Sequence, residues 1–196
     1  LGDPYNTKNM IDALILREGM SEVFPKAVMA EAKNIPSTVS KDEIAKRRDL
    51  RALPIITIDG EDAKDLDDAV YVEKLKNGNY RLIVSIADVS YYVPEGSMLD
   101  EEAYKRGNSV YLVDRVLPMF PKELSNGICS LNPNEDKLTF TCEMEITPEG
   151  KIVDSDTYKS VIKTARRMTY TAVNKIIAGE EEAVREYSDI KDMVMT

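Results

Sequence analysis

The chain has no histidine and only two cysteines, Cys129 and Cys142. Two thiols without an imidazole cannot close a tetrahedral zinc site. No run approaches the ~20 apolar residues that a bilayer span requires, so no membrane segment is expected. The beginning of the sequence also lacks a charged region followed by an apolar one, which argues against a secretion signal. The two cysteines are therefore expected to be reduced, buried and hydrophobic in character, in a cytoplasmic protein. Positive charge is short as well: 26 Lys and Arg stand against 35 Asp and Glu, a net charge of −9. That balance argues against a protein that grips nucleic acid through a broad basic surface. It leaves room for a nuclease whose carboxylates are neutralised by metal. There is no internal repeat and no low-complexity segment.

A 196-residue chain that is 43% apolar has enough material for one core with at most a small satellite. Its negative charge is unevenly spread. Asp59–Asp68 reads DGEDAKDLDD and holds six carboxylates against one lysine, Lys64. An apolar run, PIITI (Pro54–Ile58), precedes it, and another, AVYV (Ala69–Val72), follows. Two like charges about 4 Å apart repel by on the order of 4 kcal/mol at an effective dielectric of 20. A solvated acidic loop is the bland explanation of such a run. The flanking strand-like segments tie this one to the core, and crowding there is tolerable if a cation sits among the carboxylates. Hard oxygen donors without His or Cys select Mg²⁺, Mn²⁺ or Ca²⁺. An EF-hand starting at Asp62 fails, because its third and fifth positions are Lys64 and Leu66. Asp59, Asp65, Asp67 and Asp68 have a spacing that can surround one or two ions from several sides.

Along the chain, residues 6–19 predict a helix capped by Asn6 or Thr7 and ended by Gly19. Pro25 suits a first helical position, and Ser40–Glu43 is a capping box. Residues 1–50 thus form a mostly helical arm. Its Arg47, Arg48 and Arg51 can meet phosphates, or equally pair with Asp42, Glu43 and Asp49. From Pro54 the period changes. Strands are expected at 54–58, 68–75 and 80–89, the last two joined by an Asn77–Gly78 hairpin turn. A helix at 97–106 and an extended piece at 109–113 follow. A strand pair at about 137–147 and 151–163 turns at Pro148–Gly150. Helices at 169–178 and 181–194, separated by Gly179, complete the pattern; the last stops at Thr196 without a cap. The class is α+β: a helical N-terminal arm, a strand-rich mixed-sheet core and C-terminal helices.

The stretch RRDLRALPIITIDGEDAKDLDDAVYVEKLKNGNYRLIVSIADVSYYV (Arg47–Val93) resembles the start of the catalytic, RNB-type domain of the ribonuclease II/ribonuclease R family. Glu95–Met144 and ARRMTYTAV (Ala165–Val173) continue the resemblance, and GEDAKD and ADVSYYV are nearer its ribonuclease R branch. The leading LGDP (Leu1–Pro4) and the segment after it resemble the connector that follows a cold-shock domain. The resemblance implies a connector at 1–50 and the N-terminal part of the catalytic domain at 51–196. It implies hydrolytic 3′→5′ exoribonuclease chemistry on the 3′ end of single-stranded RNA, releasing nucleoside 5′-monophosphates. It also implies Mg²⁺, with Mn²⁺ as a substitute, and further RNA-binding domains in a longer chain. Asp59 and Asp68 are implied as direct ligands, with Asp65 and Asp67 completing the cluster. Tyr111 is implied at the terminal nucleotides and Tyr170 near the scissile phosphate. Tyr71, Tyr80, Tyr91 and Tyr92 are left to packing. Arg106, Arg166 and Arg167 lie near these tyrosines in sequence and can hold phosphates, with Arg106 and Arg167 taken as RNA contacts. Asp88 is read as structural. The alternative is a member of the same fold that binds RNA without cutting it. A non-catalytic relative would be expected to lose at least one of the four aspartates.

Overall fold

The computed structural model describes residues 2, 3 and 5–196, so Leu1 and Pro4 of the expected connector motif lie outside the described residues. The element order is α1 Thr7–Arg17, α2 Lys26–Asn34, α3 Lys41–Ile44, β1 Arg48–Asp49, β2 Ile56–Asp59, β3 Asp68–Lys74 and β4 Tyr80–Ala87. Then come α4 Val89–Tyr92, α5 Met98–Arg106, β5 Val110–Tyr111, β6 Val116–Leu117, a kinked turn at Leu124–Ile128, β7 Asp136–Ile146 and β8 Ile152–Lys163. The chain closes with β9 Arg166–Thr169, α6 Tyr170–Ile177, α7 Glu181–Glu186 and α8 Lys191–Met195. None of the described helices is long and apolar enough to cross a membrane. The α+β class expected from the sequence is the class observed.

Two compact units share the chain: Leu1–Pro36 with Ser90–Leu124, and Ser37–Val89 with Ser125–Thr196. The units are interleaved along the chain, whereas the sequence reading divides it once, near residue 50. In the first unit the Asn6 side chain caps α1 by accepting from the Lys8 and Asn9 amides. Ile11 and Ile15 of α1 bury against Leu117 of β6. Pro25 falls at the N-cap of α2, one place before the expected first helical position, and Val28 and Ala32 form the buried stripe. Ser97 caps α5 by accepting from the Asp100 amide.

The second unit is built on a seven-stranded sheet in the order β1-β8-β7-β4-β3-β2-β9. The β3–β4 hairpin runs in unbroken antiparallel register from Asp68↔Ile86 to Lys74↔Tyr80. Its turn needs a left-handed residue, which Gly78 supplies at φ +90. The β7–β8 pair closes as expected, around Gly150 at φ +82. On the sheet's buried face the hydroxyls of Ser85, Thr141, Ser160 and Thr139 form a ladder with spacings of 2.8, 2.6 and 2.6 Å. Ile56, Met168, Ile176, Ala183 and Ile190 make a core between the β2–β9 end of the sheet and the last helices.

Three local expectations are corrected. Residues 166–169 form β9, parallel to β2 from Ile56↔Arg166 to Asp59↔Thr169. Arg-Arg-Met-Thr has no apolar alternation, and its partner strand lies far back in the chain, so no local pattern announces it. The helix expected at 181–194 is two helices. The chain turns at Tyr187 (φ −105, ψ 30) and Ile190 (φ −121, ψ −4) so that Ile190 can bury at 1% exposure. The strand expected from Pro54 begins at Ile56.

The arginines of residues 47–51 serve the fold. Arg47 is buried between Glu43 and Asp88, at 2.8 and 2.7 Å. Arg51 bonds Asp49 and Asp136 at 2.7 and 2.8 Å. Arg48 lies 3.4 Å from Glu143 and stands over the Tyr158 ring. Asp88, which follows β4, is buried and structural, as the sequence suggested.

Candidate active site

The acidic segment connects two antiparallel neighbours in the second unit. Because β2 and β3 run antiparallel, the end of one and the start of the other fall at the same edge of the sheet. That places Asp59, the last residue of β2, and Asp68, the first of β3, at the two ends of one loop. β9 ends at Thr169, in register with Asp59, and α6 starts at the next residue, Tyr170. Parallel pairing thus delivers Tyr170 to the edge where the aspartates gather. Its side chain is 60% exposed, unlike a packing tyrosine. The Thr169 hydroxyl caps α6 by accepting from the Ala172 amide at 3.1 Å.

The loop is held by its main chain. Leu66 is 1% exposed and anchors the middle. The Leu66 amide donates to Ser130 Oγ at 3.1 Å, and the Leu66 carbonyl accepts from the Leu131 amide at 2.8 Å. Ser130 Oγ donates to the Lys64 carbonyl at 2.9 Å. The Ala87 amide donates to the Asp67 carbonyl at 2.9 Å. At the other end Arg167 Nη2 donates to the carbonyls of Gly60 and Glu61 at 3.2 and 2.6 Å. The Thr171 hydroxyl donates to the Glu61 carboxylate, which lowers the Glu61 pKa.

Electrostatics link the four aspartates. Burial, then the charges of Asp68 and Asp65, raise the Asp59 carboxyl above its ordinary range, with Arg167 opposing. Asp67 has an exposed surface, yet enough protein surrounds its carboxyl to raise it too, followed by the charges of Asp65, Asp68 and Asp59. Among the described residues, no lysine or arginine forms an ion pair with Asp59, Asp67 or Asp68. Like charges therefore crowd at Asp59, Asp67 and Asp68, with the Arg167 charge beside Asp59 only partly offsetting them.

The donor chemistry suits a hard divalent ion: carboxylate oxygens only, with no nitrogen or sulfur among them. Among the described residues, no group of three such side chains stands close enough to hold an ion in the positions they occupy.

The other residues singled out in the sequence are distributed differently. Tyr111 and Arg106 belong to the first unit. Tyr111 sits on the β5–β6 hairpin with its side chain 69% exposed. Arg106 is absorbed in that unit's framework. Its Nε bonds Glu102 at 2.8 Å, Nη1 reaches the Ser21 and Pro118 carbonyls, Nη2 reaches the Val23 carbonyl, and Phe24 lies under its plane at 3.8 Å. With these donors engaged it is a clamp for backbone in this unit. Arg166 pairs with Asp189 at 2.9 Å. Arg167 is exposed beside Asp59 and also pins the loop. Ser130 and Leu131 escaped the sequence reading, because a lone serine before a leucine carries no signal until its distant partner is known.

A family model, the RNB domain, matches residues 47–195. Ribonuclease R 1 of Lactococcus lactis is 53% identical over 186 residues, covering 95% of this chain and 23% of its own length. Ribonuclease R of Thermotoga maritima is 50% identical over 196 residues, covering 99% of this chain and 28% of its own length. The structure of Mycoplasma genitalium RNase R in complex with ribose methylated single-stranded RNA superposes with a TM-score of 0.87 at 31% identity, covering 99% of this chain and 31% of that one. The chain thus spans about a quarter of the length of these two curated relatives, 23% and 28%.

Proposed function

Because this chain belongs to the RNB domain family, we propose that it is the metal-binding part of a hydrolytic exoribonuclease that degrades RNA from the 3′ end to nucleoside 5′-monophosphates. The observation that carries the reading is the loop itself: four aspartates gathered at one sheet edge, where burial and neighbouring carboxylates raise Asp59 and Asp67, with no ion-paired cation on Asp59, Asp67 or Asp68 among the described residues. Bare carboxylates would repel the phosphates of RNA, so a substrate phosphate can approach this edge only after they are neutralised. Mg²⁺, or Mn²⁺ in its place, held by Asp59, Asp65, Asp67 and Asp68, would supply an activated water and neutralise charge at the scissile phosphate.

The chain's own residues orient the substrate. Tyr170 opens a helix beside Asp59, where its ring can stack on a base and its hydroxyl can reach a phosphate or a 2′-OH. The exposed guanidinium of Arg167 can receive a phosphate oxygen on the same edge. Tyr111, exposed on its hairpin, is proposed to clamp the 3′-terminal nucleotides. The likeness to an RNase R structure bound to single-stranded RNA supports such a substrate. The length of the relatives supports additional RNA-binding domains outside this segment.

The test is Asp68→Asn in the full-length protein, assayed by single-turnover degradation of a single-stranded RNA. Turnover should fall by orders of magnitude while RNA affinity survives. Turnover close to the parent's would overturn the assignment. Tyr111→Ala should leave the cleavage step intact and lengthen the limit product on a denaturing gel, since stacking is worth ~1–3 kcal/mol per base. Tyr91→Ala, whose ring meets Tyr92 edge-on at 5.0 Å, should leave the limit product unchanged.

A further inference from the structure

We infer that Ser130 is a positioning residue for the acidic loop: its buried hydroxyl brackets Asp65 through the main chain and so presents Asp65 and Asp67 to a divalent cation. The inference rests on the metal reading above and adds a residue to it. Ser130 is 0% exposed. Its Oγ accepts from the Leu66 amide at 3.1 Å and donates to the Lys64 carbonyl at 2.9 Å. Those two groups belong to the peptides on either side of Asp65. The neighbouring Leu131 amide donates to the Leu66 carbonyl at 2.8 Å, which fixes the peptide ahead of Asp67. Three hydrogen bonds from two consecutive residues therefore set the backbone on which two of the four carboxylates are carried.

The donor is itself well anchored. The Ser130 amide donates to the Gly127 carbonyl at 3.1 Å, and the carbonyl of the wholly buried Leu131 accepts from Thr164 Oγ1 at 2.9 Å. Lys137, 1% exposed, reaches the Gly127 and Ile128 carbonyls from Nζ at 2.8 and 3.5 Å. Asn132 Oδ1, at 3.3 Å from Ser130 Oγ, is a second acceptor for the same hydroxyl proton.

A neutral hydroxyl solves a particular problem. A lysine or arginine could hold this loop by pairing with its carboxylates, but it would neutralise the charge that a cation needs. Ser130 holds the loop by its peptides and leaves every carboxylate charge in place. Groups that orient ligands in this way carry much of a metal site's affinity although they do not touch the ion.

The test measures Mn²⁺ binding by electron paramagnetic resonance of the free ion, in the full chain and without RNA. Ser130→Ala should weaken Mn²⁺ binding about tenfold to a hundredfold and speed hydrogen exchange at the Leu66 amide. Thr141→Val is the control. It removes an equally buried hydroxyl from the sheet interior, so it should cost stability and leave Mn²⁺ affinity unchanged. Ser130→Cys keeps a weaker donor and acceptor of similar size and should fall between parent and alanine variant; it replaces Ser130→Ala if that variant does not fold. Unchanged Mn²⁺ affinity in the Ser130 variants, or equal losses in Thr141→Val, would overturn the role of Ser130. Failure of the parent chain to bind Mn²⁺ overturns the metal reading itself.

Discussion

Asp49 and Asp59 end neighbouring strands in the sequence, β1 and β2, and their carboxyls are pushed in opposite directions. Asp49 is held down to about 2 by hydrogen bonds from Arg51. Glu143 feels a burial cost, but bonds from Arg81 and Tyr158 outweigh it and lower its pKa. Asp88, deeper still, lies 2.7 Å from Arg47 and 3.4 Å from Lys159. At the β2–β3 edge Asp59 is raised by burial and by the charges of Asp68 and Asp65, against Arg167, and Asp67 by burial and by the charges of Asp65, Asp68 and Asp59. In the first region the chain brings its own cations, and the carboxylates are structural. In the second, no lysine or arginine among the described residues forms an ion pair with Asp59, Asp67 or Asp68, which is what the proposed metal site requires. On the proposed reading, the two regions differ in which carboxylates form ion pairs with the chain's own cations, since acidic residues occur in both.

The comparison can be broken most sharply at its paired side. Arg47→Met removes the nearer cation of the buried Asp88 and leaves Lys159 at 3.4 Å, and it should cost up to roughly 3–5 kcal/mol. Urea denaturation read by circular dichroism checks this. A loss well under 1 kcal/mol would mean that the Arg47–Asp88 pair behaves like a surface one. At the unpaired side, Mn²⁺ at a hundredfold excess over its dissociation constant should stabilise the chain by about 2.7 kcal/mol. Thermal melts with Mn²⁺ and with EDTA measure it, and Asp68→Asn should abolish most of the gain.

The finest test sets one aspartate against the other in EDTA. Asp67→Asn removes repulsion and should raise the melting temperature slightly at pH 7, whereas Asp49→Asn should lower it. Their pH dependences follow from the sign of each shift. The folded pKa of Asp49 is depressed, so its contribution is present above the unfolded value of 3.8 and is lost as pH falls toward about 2. The folded pKa of Asp67 is raised, so its ionisation penalises the folded state. The benefit of Asp67→Asn should appear as pH rises through that raised pKa and vanish below 3.8. Melting curves from pH 2 to 7 in low salt read both, and shifts of the same sign in the two variants would erase the distinction between the regions.

Much of this was legible before any coordinates. The Asn6 and Ser40 caps, the Gly78 turn and the β7–β8 pair are local patterns, complete within a few residues, and each appears where expected. The acidic loop was legible for the same reason, since its density and flanking strands are contiguous. The arginines were not. Arg47, Arg51, Arg106 and Arg167 look alike in sequence, but one is a buried counter-ion, one a surface chelate, one a backbone clamp and one an exposed group at the acidic edge.

The sequence by itself determined the class, the hairpins and the ten residues in which charge is concentrated, because periodicity, capping and turn chemistry act over a few residues at a time. Only the tertiary structure decided that β9 lies along β2 and carries Tyr170 to Asp59, that Ser130 fastens the loop at Leu66, and that Arg106 spends its donors on Ser21, Val23 and Pro118. Each of these joins residues far apart in the chain. Such contacts form only after the entropy of closing a long loop has been met by burial elsewhere, and no short stretch of sequence records that burial.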